Sequence, residues 1–191
     1  MIKAALQLLV SEKKLDDLHL TRKALRQAAS IGELLKNKAG SKRSSKENGK
    51  ISEVSPVLFY GTQVAEQRSA AALIGSLAQQ ATYRVDLSKI VSKYIGETEK
   101  QLAALFDTAE KKDWILFFDE AEALFGKRTD IKDAHDKYAN LDTAYLLQRI
   151  ESYQGLVILS SNRKTNLDPA FLRRLRAAVY FPKPKKKKSG Q

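Results

Sequence analysis

The sequence predicts an α/β fold with a five-stranded parallel sheet, helices on both of its faces, and a short helical segment before it. Three observations predict this fold. Short apolar runs recur between residues 55 and 182, and stretches with helical spacing of apolar residues separate them. Repeated strand–helix–strand units of this kind build parallel sheets. The run at 114–120, WILFFDE, is apolar on both faces, which is typical of an interior parallel strand.

The five strands are predicted from apolar runs, and three helices from apolar residues three or four positions apart. The predicted strands are PVLFYG (56–61), TYRVDL (82–87), WILFFDE (114–120), GLVILSSN (155–162) and AAVYFP (177–182). The predicted helices cover 68–80, 97–112 and 139–153. Ligands of such sheets bind beyond the carboxyl ends of the strands, so residues at those ends are the first candidates for a site.

The first part of the chain is predicted to be helical. A short helix is expected over 2–14, where three apolar residues share one face: Leu6, Leu9 and Val10. Thr21 is a suitable N-cap for a second helix that runs to about residue 38. The resulting organisation is a helical N-terminal segment (1–38), a flexible basic linker rich in Ser, Gly and Lys (39–54), the folded domain (55–182) and a disordered lysine-rich tail (183–191).

The formal charge of +12 is confined to the two ends of the chain. Residues 1–50 carry a net charge of +7 and residues 183–191 a net charge of +5, whereas 51–182 hold 17 residues of each sign. The neutral body argues against a nucleic-acid partner for the folded domain, because nucleic acid is bound through basic patches. The absence of cysteine excludes disulfides and thiolate zinc sites. With no membrane-spanning run and no signal-like start, we expect a cytoplasmic protein.

Two adjacent acids, Asp119 and Glu120, end the most apolar strand. Carboxylates beside a core are costly unless they hold a metal or a cation. The pair resembles that of P-loop NTPases, in which the first acid helps to hold Mg²⁺ and the second can polarise the attacking water. The alternative from the residues alone is that Asp119 caps the next helix and Glu120 is solvated.

Longer stretches around these acids resemble the AAA family of P-loop ATPases. The segment VDLSKIVSKYIGETEKQLAALFDTAEKKDWILFFDEAEALFGKR is similar to the family's second strand, pore loop, second helix and Walker B segment, in that order. The segment GLVILSSNRKTNLDPAFLRRLR is similar to its fourth strand, sensor-1 asparagine and arginine-finger region. LDDLHL resembles the linker before this domain in some bacterial members. The resemblance implies a three-layer P-loop sandwich and ATP with Mg²⁺ as the cofactor.

The resemblance also implies roles for single residues. Asp119 would be the magnesium ligand and Glu120 its catalytic neighbour. Asn162 stands where sensor 1 contacts the γ-phosphate or the attacking water. Arg173 and Arg176 match the fingers that reach a neighbouring subunit's nucleotide, and guanidinium suits that task because it grips phosphate oxygens in a fork. Arg174 is a further candidate, and the residue-level alternative is a basic surface turn.

A loop before the second helix of this resemblance is expected to contact substrate. Tyr94, Ile95 and Gly96 fall at the family's pore loop, where an aromatic residue from each subunit of a ring grips a polypeptide. Large apolar contact with little demand on side-chain sequence is the physical basis for this role. The alternative is that Tyr94 packs locally.

The phosphate loop departs from the family pattern G-x-x-x-x-G-K-[ST]. The chain has GTQVAEQR at 61–68, so that only Gly61 remains. Gln67 replaces the lysine, and Arg68 replaces the hydroxyl ligand of Mg²⁺. Glu66 stands at the second glycine, where a carboxylate faces the anion. We expect reduced ATP affinity from this degenerate Walker A segment, because the loop needs glycine for close approach to phosphate.

After the fifth predicted strand the sequence continues as PKPKKKKSGQ, where family members form a helical lid, and we expect that this chain lacks the lid.

Two functions follow as hypotheses from these observations. The first is an ATPase domain that remodels a protein substrate within a homo- or hetero-oligomeric ring, with doubtful hydrolysis by this chain. The second is an inactive ring or scaffold subunit that lends arginine fingers to active neighbours. A third, a nucleic-acid binder acting through the basic ends, predicts salt-dependent retention on DNA.

Overall fold

The computed structural model describes residues 2–18, 20–41, 55–92, 94, 96–126 and 143–183. Six strands form one sheet: β1 Leu6–Leu8, β2 Val57–Tyr60, β3 Thr82–Val85, β4 Ile115–Phe118, β5 Val157–Ser161 and β6 Ala177–Tyr180. The α-helices of the described residues are α1 Arg22–Ser41, α2 Val64–Ala78, α3 Glu97–Lys111, α4 Ala121–Phe125, α5 Thr143–Ser152 and α6 Pro169–Leu172. The remaining predicted linker (42–54), most of the tail (184–191) and Ile95 lie outside the described residues.

The predicted α/β class is confirmed, with one strand more than expected. The strand order is β1-β3-β4-β5-β2-β6, and all neighbouring pairs except β1 with β3 are parallel. The strands β4, β5 and β2 are neighbours in this order and run parallel, so their carboxyl ends lie side by side. The candidate site lies at these carboxyl ends, which are called the carboxyl edge of the sheet.

The prediction of a helix over residues 2–14 is wrong. Residues Ile2–Ala5 form a single 3-10 turn, and the next three residues form β1, which pairs antiparallel with β3. Backbone bonds hold both ends of the pairing, from Asp86 N to Ala5 O and from Leu9 N to Thr82 O, each 2.8 Å long. The edge of β3 offers these bonds to the segment, and short isolated helices are marginal in water, so tertiary pairing overrides the weak helical pattern.

Alternate residues of the central strands build two cores on opposite faces of the sheet. Leu116 and Phe118 of β4 pack toward α3 and α5, whereas Ile115 and Phe117 pack toward α1 and α2. The period of two along a strand explains why the run was apolar at every position. Both faces of β4 are therefore covered, and its carboxyl end is held rigidly.

Two local features strengthen these cores. A Cβ at Gly32 would lie 3.2 Å from Leu77 Cβ, so glycine lets α1 approach α2 closely. Tyr153 donates its hydroxyl hydrogen to Trp114 O, and burial raises the pKa of this phenol well above its ordinary value. The hydroxyl therefore stays protonated and keeps its donor role.

No helix among the described residues is long and apolar enough to cross a bilayer.

Candidate functional site

The turn after β2 begins the candidate site. Gly61 has φ of 131°, a conformation that side chains rarely adopt, and its N–H donates to Ser161 O at 3.0 Å. A Cβ on Gly61 would lie 2.1 Å from Phe181 O, so the backbone of the segment after β6 fills the space beside it. This glycine is required by both its dihedral angle and its close contact.

Gly61→Ala should lower the free energy of unfolding by about 3 kcal/mol, because the substitution adds a backbone clash to an unfavourable dihedral. Gly96→Ala is the matched control, since Gly96 also has a positive φ, of 77°, but a Cβ there meets nothing within 4 Å. Only about 1 kcal/mol is expected for the control. Urea denaturation measures both values, and equal losses would show that the contact with Phe181 O is unimportant.

Gln67, at the position of the family's lysine, is completely buried. Its Nε2 donates to Gly61 O at 2.8 Å, and its Oε1 accepts from Ser160 Oγ at 2.7 Å. The carboxamide thus closes the loop onto its own first residue and onto β5. A side chain held by two buried hydrogen bonds is not available to a phosphate, since breaking them leaves polar groups unsatisfied.

Asp119 lies where the sequence predicted, at the carboxyl end of β4, but its charge is already balanced. Arg68 Nη2 lies 2.7 Å from Asp119 Oδ2, and Arg84 Nε donates to the same oxygen. The Asp119 side chain is 10% exposed, and its other oxygen, Oδ1, is buried without a hydrogen-bond partner. The guanidinium of Arg68, at the position of the family's hydroxyl ligand, thus faces a carboxylate of its own chain.

Glu66 does not stand open toward an anion either. The residue is 8% exposed, and its Oε1 forms an ion pair with Lys13 Nζ at 2.9 Å. Lys13 belongs to the N-terminal segment, so that segment reaches the first turn of α2. Sequence reasoning missed both Lys13 and Arg84; the one available signal was a lone arginine inside the strand TYRV.

Glu120 and Asn162, the remaining acid and the asparagine of the candidate site, are exposed at the carboxyl ends of β4 and β5. Glu120 has φ of 54° and directly precedes α4. Asn162 follows β5, and its Nδ2 donates to Glu122 Oε1 at 3.3 Å. Glu122 was not singled out in the sequence. In the described residues, no three His, Cys, Asp or Glu side chains cluster as a metal site.

The three arginines after α6 are all exposed. Asp168 is the N-cap of α6, and its Oδ1 accepts from the backbone N–H of Ala170 at 2.6 Å. Arg174 pairs with Glu151 at 2.9 Å, whereas Arg173 and Arg176 form no ion pair with any residue that the structure describes. The structure therefore separates Arg174 from the other two.

The predicted substrate loop projects from the start of α3. Tyr94 is 74% exposed, so local packing does not bury it. Ser92 Oγ donates to Glu97 Oε2 at 2.7 Å, and Ser92 N donates to Thr98 Oγ1 at 2.9 Å. These bonds fix the base of the loop on the first turn of α3.

Comparisons with known proteins agree with this architecture. The family described as "ATPase family associated with various cellular activities (AAA)" matches residues 57–183. The 26S proteasome regulatory subunit 7 of Dictyostelium discoideum is 33% identical over an alignment of 135 residues that covers 67% of this chain and 32% of that subunit. Proteasome-activating nucleotidase 1 of Haloferax volcanii is 30% identical over an alignment of 141 residues that covers 70% of this chain and 35% of that protein.

The crystal structure of the FIGL-1 AAA domain superposes with a TM-score of 0.67 at 20% identity, covering 96% of this chain and 60% of that one. This likeness concerns the fold. The chain spans about a third of the length of the curated relatives named above. The family match covers strands β2 to β6, the loop at 61–68 and both Arg173 and Arg176, and on that evidence the chain belongs to the AAA family of ATPases.

Proposed function

We propose that this domain is a non-hydrolysing AAA subunit that packs within a ring and lends Arg173 and Arg176 to the nucleotide sites of active neighbours. The observation that carries the proposal is the ion-paired Asp119, with Arg68 and Arg84 both on its Oδ2. Proteins of this family generally bind ATP with Mg²⁺, so the first question is whether these residues fit that ligand.

The residues around Asp119 do not fit a magnesium ion. Mg²⁺ takes oxygen ligands in a near-octahedral shell and keeps several waters. Here Asp119 Oδ1 is one buried oxygen, the position of the hydroxyl ligand holds Arg68, and two guanidiniums lie against the same carboxylate. A divalent cation would meet two positive charges at this position, and the low exposure of Asp119 reduces their screening.

The residues of the loop at 61–68 do not fit a triphosphate either. The side chain at the lysine position is committed to Gly61 O and Ser160, and the second glycine is replaced by Glu66. A phosphate-binding loop presents successive backbone N–H groups to the anion and needs glycine to do so. The hydrogen bonds of Gln67 instead stabilise the loop without a ligand.

The arginines support the second half of the proposal. A finger acts across a subunit boundary, so it must be exposed and not neutralised within its own chain. Arg173 and Arg176 meet both conditions among the described residues, and Arg174 fails the second because of Glu151. The domain thus keeps two arginines suited to a neighbour's site, whereas the lysine and hydroxyl positions of its own site are replaced.

A second candidate is the ATP-driven remodelling of a protein substrate by this chain itself. The exposure of Tyr94, 74%, favours it, since an aromatic residue on a surface loop is suited to gripping a polypeptide. A non-hydrolysing subunit in a mixed ring would present the same tyrosine. Hydrolysis by the isolated chain therefore discriminates between the two candidates, and exposure of the loop does not.

The wild-type chain should release phosphate from ATP no faster than buffer does, and calorimetry with ATP and Mg²⁺ should show no saturable heat. The reason is the replacement of the lysine and hydroxyl positions by Gln67 and Arg68. A turnover of ~1 s⁻¹ or more, in the usual enzyme range, that Glu120→Gln abolishes would overturn the proposal. Activity that survives Glu120→Gln indicates a contaminating ATPase.

A further inference from the structure

A groove lies between the N-terminal segment and α3, and Trp114, just before the amino end of β4, is part of its lining. It encloses about 530 Å³. Three lysines surround it, and its floor is apolar; the residues concerned are Lys3, Lys100 and Lys112 around Leu6, Ala104 and Trp114. We call this the lysine groove. No carboxylate of the described residues lines it.

Among the residues that the structure describes, no acidic side chain pairs with the lysines of the groove. Lys3 and Lys100 form no ion pair with any described residue, and Lys112 Nζ lies 5.3 Å from the centre of the Trp114 ring. The nearby acid Asp107 is turned to Arg149, at 2.6 Å, on another flank of α3. The positive charge of the groove is therefore available to a partner.

Leu6, in the lining of the groove, belongs to the strand at the free edge of the sheet. β1 is the last strand in the sheet order and pairs with β3 alone among the described strands. Ala5 O and Leu9 N bond to β3, so by the antiparallel alternation the backbone groups of Leu6 and Leu8 face away from the sheet. Leu8 is 51% exposed at this edge.

We propose that an acidic, extended segment of a partner protein adds to the edge of β1 and places its carboxylates among Lys3, Lys100 and Lys112. Strand addition uses main-chain hydrogen bonds for affinity and side-chain pockets for specificity. Lys100 and Lys112 are twelve residues apart on or next to α3, roughly 18 Å, which matches about five residues of a strand. Apolar side chains of the partner cover Leu6 and Trp114.

The chemistry selects this occupant over two others. A second copy of this chain has a neutral body and positively charged ends, so it offers the lysines no surplus of acidic side chains. Nucleic acid has phosphates that would pair with the lysines, but it has no peptide backbone that could form hydrogen bonds with the free edge of β1. The acidic strand uses the charge, the apolar floor and the edge together.

The test titrates the full chain with the peptide DLDFDLD, which contains no tryptophan. Trp114 is the single tryptophan of the chain, so its emission reports on the floor of the groove. We expect the emission to shift to shorter wavelength on binding. Lys100→Glu with Lys112→Glu should weaken binding about tenfold or more, because two attractive contacts become repulsive. The double variant Lys100→Gln with Lys112→Gln should lose less affinity for the peptide, because it removes two positive charges without adding negative ones.

The matched control is Lys23→Glu with Lys36→Glu, which makes the same change in net charge on two exposed lysines of α1. It should alter affinity less than twofold. Equal weakening by the control, binding without a change in Trp114 emission, or full affinity of a peptide N-methylated at alternate backbone nitrogens would each overturn the proposal. Tighter binding of an oligothymidine than of the peptide, lost in the same groove variant, would assign the surface to nucleic acid instead.

Discussion

Replacing residues 61–68 by GPPGTGKT should tighten the binding of ATP by about 100-fold or more relative to the wild-type chain. The replacement removes the buried Gln67 from Gly61 O, takes Arg68 away from Asp119, and removes the charge of Glu66. A factor of 100 corresponds to about 2.7 kcal/mol, which is modest beside the several hydrogen bonds and the lysine charge that such a loop supplies. Calorimetry with ATP and Mg²⁺ measures the change.

Arg84 provides the second arm of this experiment. In the restored loop Arg84 still donates to Asp119 Oδ2, so the gain from Mg²⁺ should be small. Adding Arg84→Met should raise the ratio of ATP affinity in Mg²⁺ to that in chelator by about tenfold, because the carboxylate is freed for the cation. Arg84→Met in the wild-type background should not create binding. Equal ATP affinity of the wild-type and restored chains would show that the loop is not what limits binding.

The wild-type chain should bring about ATP hydrolysis by a chain that carries the restored loop and Arg84→Met and whose own Arg173 and Arg176 are both alanine. In this mixture one chain holds the nucleotide and the other supplies the fingers, so activity requires contact between subunits. A finger in trans is worth ~10³-fold or more in turnover. Phosphate release is measured as the wild-type chain is added at a fixed concentration of its partner.

Arg174 gives the matched control for this mixture. Its guanidinium lies 2.9 Å from Glu151 Oε1, so Arg174→Ala in the added chain should leave the stimulation intact. Arg173→Ala with Arg176→Ala in the added chain should remove it. Stimulation that survives the double variant, or that disappears with Arg174→Ala alone, would show that the fingers are wrongly assigned.

The candidate site was predictable in part from local pattern. The apolar run before Asp119 indicated a buried strand, and a carboxylate directly after such a strand lies at the sheet edge whatever the rest of the fold does. The replacement of lysine by Gln67 was also visible in the sequence. What Gln67 does instead was not, because its partner Ser160 is 93 residues away and becomes a neighbour only through the pairing of β2 with β5.

Periodicity and the distribution of charge therefore determined, by themselves, the α/β class and the neutral body with basic ends, and the resemblance to the family revealed the departure of the phosphate loop. The tertiary structure alone decided that residues 6–8 form an edge strand, and that Arg84 joins Arg68 on Asp119. The physical reason is that hydrophobic periodicity records which face of an element is buried, whereas ion pairs and edge pairing depend on strand order. Arg84 and Asp119 are 35 residues apart in sequence, and only the parallel pairing of β3 with β4 brings them together.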